Sequence, residues 1–122
     1  MPRTNVPITA LAANSSIANP AGTAVDPTND HVIAAGGKID RLWIRCTNTN
    51  ASNRTLTVKA GVAPPSHRAG LGDLVVTVPL TTGDVFVGPL ESARFAQANG
   101  DIYIDLEASI AGIIAAFRLP KV

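Results

Sequence analysis

Hydrophobic and polar residues alternate with a period of two through much of this chain. In residues 101–107, Ile102, Ile104 and Leu106 fall on one side, and Asp101, Tyr103, Asp105 and Glu107 fall on the other. That pattern predicts a half-buried strand, because successive side chains of an extended backbone point to opposite faces. The run 40–48, DRLWIRCTN, repeats it with Leu42, Ile44 and Cys46 on one face and Trp43 on the other. Further runs at 31–35, 54–60, 73–80, 84–87 and 112–119 are rich in Val, Ile, Leu and Thr, and 92–96 continues the series of expected strands. Residues 90–122 therefore read as three short β-runs.

Turn residues separate these runs. Gly36-Gly37 ends the first, and the polar stretch 48–53 joins 40–48 to 54–60 as a predicted hairpin. Thr81-Thr82-Gly83 joins 73–80 to 84–87 as a second hairpin. Residues 61–72, with Pro64-Pro65, Gly70 and Gly72, predict a surface loop. Asn99-Gly100 suits a type I′ turn before Ile102. No stretch keeps a helical period over three turns. The pattern predicts an all-β fold, a β-sandwich or jelly-roll-like small barrel of about seven to nine short strands. Jelly-roll and immunoglobulin-like topologies both remain open.

Residues 1–30 differ from the rest. Pro2, Pro7, Pro20 and Pro27 interrupt them, and Val6, Ile8 and Leu11 form the one strand-like patch. Proline cannot donate to a ladder and biases its predecessor toward extended geometry. The expected organisation is an extended N-terminal arm over 1–30, with at most one edge strand, and a single β-sandwich domain over 31–122. Removing residues 1–20 is expected to leave that domain folded.

Composition narrows the function. Charged residues are 16% of the 122, against about 25% in typical soluble domains, which suits a subunit that stays in an assembly and equally an ordinary small domain from a high-GC genome. Ten basic and nine acidic residues are scattered, without the basic cluster that nucleic-acid binding needs. The longest apolar run, 110–117, is far below the roughly 20 residues of a membrane span. The N-terminus lacks a signal-peptide layout, so synthesis in a cytoplasm is expected. Asn14, Asn50 and Asn53 begin glycosylation sequons, read as polar loops in that setting.

Candidate chemistry is sparse. Cys46, the only cysteine, lies on the apolar face of its run and reads as a small buried residue. His31 and His67 have no second ligand at metal-binding spacing; His67 reads as a solvated loop residue and His31 as a local turn contact. Asp101, Asp105 and Glu107 share one strand face, a poor match to carboxylates opposed across a cleft. The segment 26–30, DPTND, lacks the ligand pattern of an EF-hand loop. Gly36-Gly37 lacks the lysine of a phosphate loop. Trp43 either anchors a partner or sugar on the outer face or packs beneath the arm. No catalytic, cofactor-binding or metal-ligating residue is assigned, and the chain is not expected to be an enzyme.

The block LESARFAQANGDIYIDL followed by IAGIIAAFRLPKV, and the start MPRTNVPIT before an Ala/Asn/Gly/Pro-rich arm, resemble tailed-bacteriophage capsid decoration (cement) proteins. The resemblance rests on a strand ending at Arg94-Phe95, the Asn99-Gly100 turn, the Ile102-Tyr103-Ile104 strand and Arg118-Leu119-Pro120. It covers about a third of the chain. It implies a structural virion protein on the capsid exterior, a homotrimer that binds the major capsid protein and needs no cofactor, nucleic acid or membrane. The alternatives are a carbohydrate- or receptor-binding sandwich of a tail or fibre, and a head–tail connector or tail subunit.

Overall fold

A computed structural model describes residues 2–35, 39, 41–62 and 70–120. Among them are ten strands in two five-stranded sheets and one helical turn. The strands are β1 (Thr4–Asn5), β2 (Ile8–Ala10), β3 (Thr23–Ala24), β4 (His31–Ile33), β5 (Leu42–Asn48), β6 (Arg54–Val58), β7 (Leu74–Val78), β8 (Gly83–Val87), β9 (Ile102–Leu106) and β10 (Ile113–Arg118). The turn α1 (Ser92–Phe95) lies between β8 and β9. One sheet runs β1-β4-β9-β6-β7; the other runs β2-β10-β5-β8, with β3 also on β10.

The antiparallel pairs are nested. β6 pairs with β7, β5 with β8, β4 with β9 and β3 with β10. A long antiparallel ribbon rolled over on itself in this way, with its pairs shared between two sheets, is a jelly roll. β1 and β2 add parallel partners to β4 and β10.

The core lies between the sheets and is aliphatic. Ile33, Leu42, Ile44, Cys46, Leu56, Val58, Ile102, Ile104 and Ile114 are fully buried at alternate positions of their strands. The period-two signal thus identified the inward faces of β5 and β9 residue by residue. β10 departs from simple alternation: Ile114 and Ala116 face the core, while Ala115 and Phe117 are also buried on the outer side.

Four expectations change. The predicted hairpins are corners that cross between sheets: β5 leads to β6 in the opposite sheet, and β7 leads to β8 likewise. The buried Asn48 holds both corners, its Nδ2 donating to the carbonyls of Ser52 (3.0 Å), Val78 and Pro79 (both 3.2 Å). Alternation looks the same for a hairpin and for such an arch, so the sequence pattern could not separate them.

Residues 92–96, expected as strand, hold α1 instead, with Phe95 turned into the core. Asn99-Gly100 is not a type I′ turn, which needs positive φ at both residues. Only Gly100 is there (φ 84°), and its N–H donates to Gln97 while that of Gln97 donates to Asp101, as in a type I turn with a bulge. Finally, the first thirty residues supply three strands rather than one, entering both sheets, and Val6 is fully buried.

Candidate functional site

The outer face of the β2-β10-β5-β8 sheet carries the largest group of aromatic side chains. Trp43 on β5 lies directly opposite Phe117 on β10, and the rings stack at 4.4 Å between centroids and 18° between planes. Phe86 on β8 meets Trp43 edge-on at 4.8 Å. Offset-stacked and edge-on contacts of this kind contribute about 0.5–1.5 kcal/mol beyond buried area. Phe86 nevertheless remains 67% exposed.

Beside the aromatics, Arg45 and Asp84 form a two-pronged ion pair, Nε to Oδ1 at 2.9 Å and Nη2 to Oδ2 at 2.7 Å. The paired guanidinium holds the Asp84 carboxyl below its ordinary range, and the carboxylate raises Arg45. The loop between β2 and β3 completes the wall with Leu11, Ile17, Ala18, Asn19 and Pro20. Together they enclose a groove of about 400 Å³. Trp43 Nε1 is buried beside it with no hydrogen-bond partner among the described residues. Trp43 projects from the outer face, and residues of the N-terminal segment line the same groove.

The loop itself is lightly held. Leu11 donates to the Arg118 carbonyl at 2.9 Å, and Ser15 Oγ donates locally to Ala12. Its residues are mostly exposed.

The other candidate residues serve the framework. His31 is fully buried: its Nε2 accepts the Asp26 N–H at 3.0 Å and its Nδ1 donates to the Thr4 carbonyl at 3.2 Å. Burial pushes this imidazole below its ordinary 6.5. Within 26–30, the Asp26 carboxylate accepts from Thr4 Oγ1 (2.7 Å) and from the N–H and Nδ2 of Asn29, which hold it at about 2. Asp30, at φ 61°, accepts the Leu106 N–H. This is a turn that ties β1 to β4 and β9.

Asp105 binds Arg3 at 2.6 Å, and Arg3 lies 4.4 Å over the Tyr103 ring. Glu107 accepts the Thr55 N–H at 3.0 Å. The acidic face of β9 is thus used to fasten Arg3 and β6, with Asp101 at its end. Arg3 was missed by the sequence pattern because its partners lie about a hundred residues away. Cys46 is buried, and burial first, then the nearby Asp84 charge, pushes its thiol up to about 12. His67 and Gly36-Gly37 lie outside the described residues. Among the described residues, no group of three or more His, Cys, Asp or Glu side chains is placed to hold a metal ion.

The fold defines an all-β jelly-roll sandwich with an aromatic groove on one outer face. Comparison with protein-family models, with curated proteins and with solved structures finds no match for this chain.

Proposed function

We propose that this protein is a capsid decoration subunit that binds the major capsid protein on the exterior of a phage virion and stabilises the shell, as a homotrimer. The observation that carries this reading is the groove at Trp43, Phe86 and Phe117 beside the lightly held loop 11–22. An exposed aromatic with an apolar slot beside it is the surface type that anchors protein partners. Its one charged pair is already mutually neutralised, so the groove favours docking over charge-driven chemistry. Jelly rolls occur in viral capsid proteins, which is an analogy of fold alone. Weak contacts of this kind add up when a seated subunit makes several at once.

Co-sedimentation with undecorated shells from the same genome tests the proposal. The full chain is expected to pellet with shells. Phe86→Ala, or replacement of residues 12–19 by a short Gly/Ser link, is expected to weaken binding about tenfold or more. Full-strength pelleting of both variants, or none of the full chain, refutes it. The groove also supports a second reading, a carbohydrate site in which Phe86 and Trp43 form the platform and Arg45 and Asp84 the polar contacts. A glycan array carrying the full chain separates the two.

A further inference from the structure

The two flanks of the sandwich are finished differently. On one, β1 covers β4, and β2 and β3 cover β10. On the other, β7 ends one sheet and β8 ends the other, with no further strand beside either among the described residues. Free edges expose a row of N–H and C=O groups that template another strand, and soluble proteins blunt them with charge, proline or bulges. β7, LVVTV, has no charge and no proline, and its pairing with β6 runs without a bulge from Leu74 to Val78.

Apolar exposure is concentrated on this flank. Leu71 (48%), Val75 (60%), Leu80 (47%) and Phe86 (67%) lie on or beside the β7–β8 segment. The inward-facing Leu74, Val76 and Val85 are only partly buried, so the core is left unfinished where the two edges open. The flank lies opposite the N-terminal strands β1, β2 and β3.

We infer that β7 pairs antiparallel with β7 of a second copy, across a two-fold axis at Val76, joining two five-stranded sheets into one of ten. Pairing about Val76 engages all five residues. It sets Val75 opposite Thr77 on the outer face and Leu74 opposite Val78 toward the core. Every facing position is neutral, so the strand meets its own copy without like-charge repulsion. The outer-face neighbours on β6, Thr55 and Thr57, are neutral as well. The nearest charges are Arg54, which lies opposite Val78 at the end of β6, and the pair Lys59 and Asp73, which bind each other at 2.8 Å. A second copy is the occupant whose sequence is matched by construction, and a two-fold contact uses up both edges and so closes. Combined with a three-fold contact elsewhere it yields a hexamer.

Sedimentation of the full chain over a range of concentrations tests this. A hexamer, a pair of the proposed trimers, is expected. V75K/T77K sets lysine against lysine at both outer-face positions and is expected to raise the dissociation constant about tenfold or more. V75K/T77E sets opposite charges against each other and is expected to return association to within about threefold of wild type. Both positions are exposed, so neither variant disturbs the core. Wild-type monomer or trimer, or equal association of the two variants, overturns the inference. As a measurement without substitution, amide exchange of β7 is expected to slow as protein concentration rises, and a constant rate overturns it too. Shell binding is read separately: association that ignores shells refutes only the decoration reading, and a simple dimer refutes only the homotrimer of that reading.

Discussion

His31 offers a direct test of how the N-terminal segment is fastened. The imidazole is fully buried and makes two bonds, accepting from Asp26 and donating to Thr4. His31→Phe keeps an aromatic ring of similar shape but leaves the Asp26 N–H and the Thr4 carbonyl without that partner. Each unsatisfied group costs about 1–3 kcal/mol, so the variant is expected to lose about 2–6 kcal/mol at pH 7.5. The same residue sets a pH dependence. Because burial lowers its pKa in the folded protein, the unfolded chain takes up a proton first as pH falls through 6.5. Stability from the neutral imidazole is present above 6.5 and declines below it, until the folded form also protonates. The loss grows as pH falls further below 6.5, for as long as the folded imidazole resists the proton that the unfolded chain accepts. Asp26, Asp73 and Asp84 are held below their ordinary range, so their contributions are lost at lower pH than this window. Urea unfolding of both proteins at pH 7.5 and 5.5 provides the measurement. Wild type is expected to weaken toward pH 5.5 more than His31→Phe, narrowing the gap between them. A gap that stays constant, or a variant within about 0.5 kcal/mol of wild type, refutes the reasoning.

Other perturbations address the arm, the corners and the thiol. Deleting residues 1–20 removes β1, β2 and the buried Val6, and with Thr4 one partner of His31. It is expected to cost at least about 4 kcal/mol in chemical denaturation, whereas excising only residues 12–19 is expected to cost about 1 kcal/mol or less. Asn48→Ala strips one amide from three carbonyls at the two corners and is expected to lower stability by about 2–4 kcal/mol in the same assay. Cys46, buried with its thiol near 12, is expected to react with a thiol-directed probe only as fast as the protein unfolds; rapid labelling of native protein contradicts its placement.

How much of the molecule was legible beforehand differs from element to element. β9 and β5 were read almost to the residue, together with the inward faces carrying Ile102, Ile104, Leu42 and Ile44. Alternation is a local consequence of extended backbone geometry, so a window of a few residues contains it. The segment 92–96 misled because its short apolar run carries no length that separates a strand from one helical turn; Phe95 reaches the core either way. Of the groove, Trp43 was singled out in advance. Its stack on Phe117 depends on the register of β10 against β5, seventy-odd residues apart in the chain, which no local pattern encodes.

The sequence by itself determined the all-β class, the positions of central strands such as β5 and β9, and the side of each that faces inward, because these follow from backbone periodicity and turn chemistry. Only the tertiary structure decided which strands pair. Two expected hairpins became inter-sheet corners, β5 found β8 and β6 found β7, and the N-terminal segment entered both sheets. The reason is physical: a strand's own residues specify which face it buries, while its partner is chosen by closing the core and satisfying edges across the whole chain.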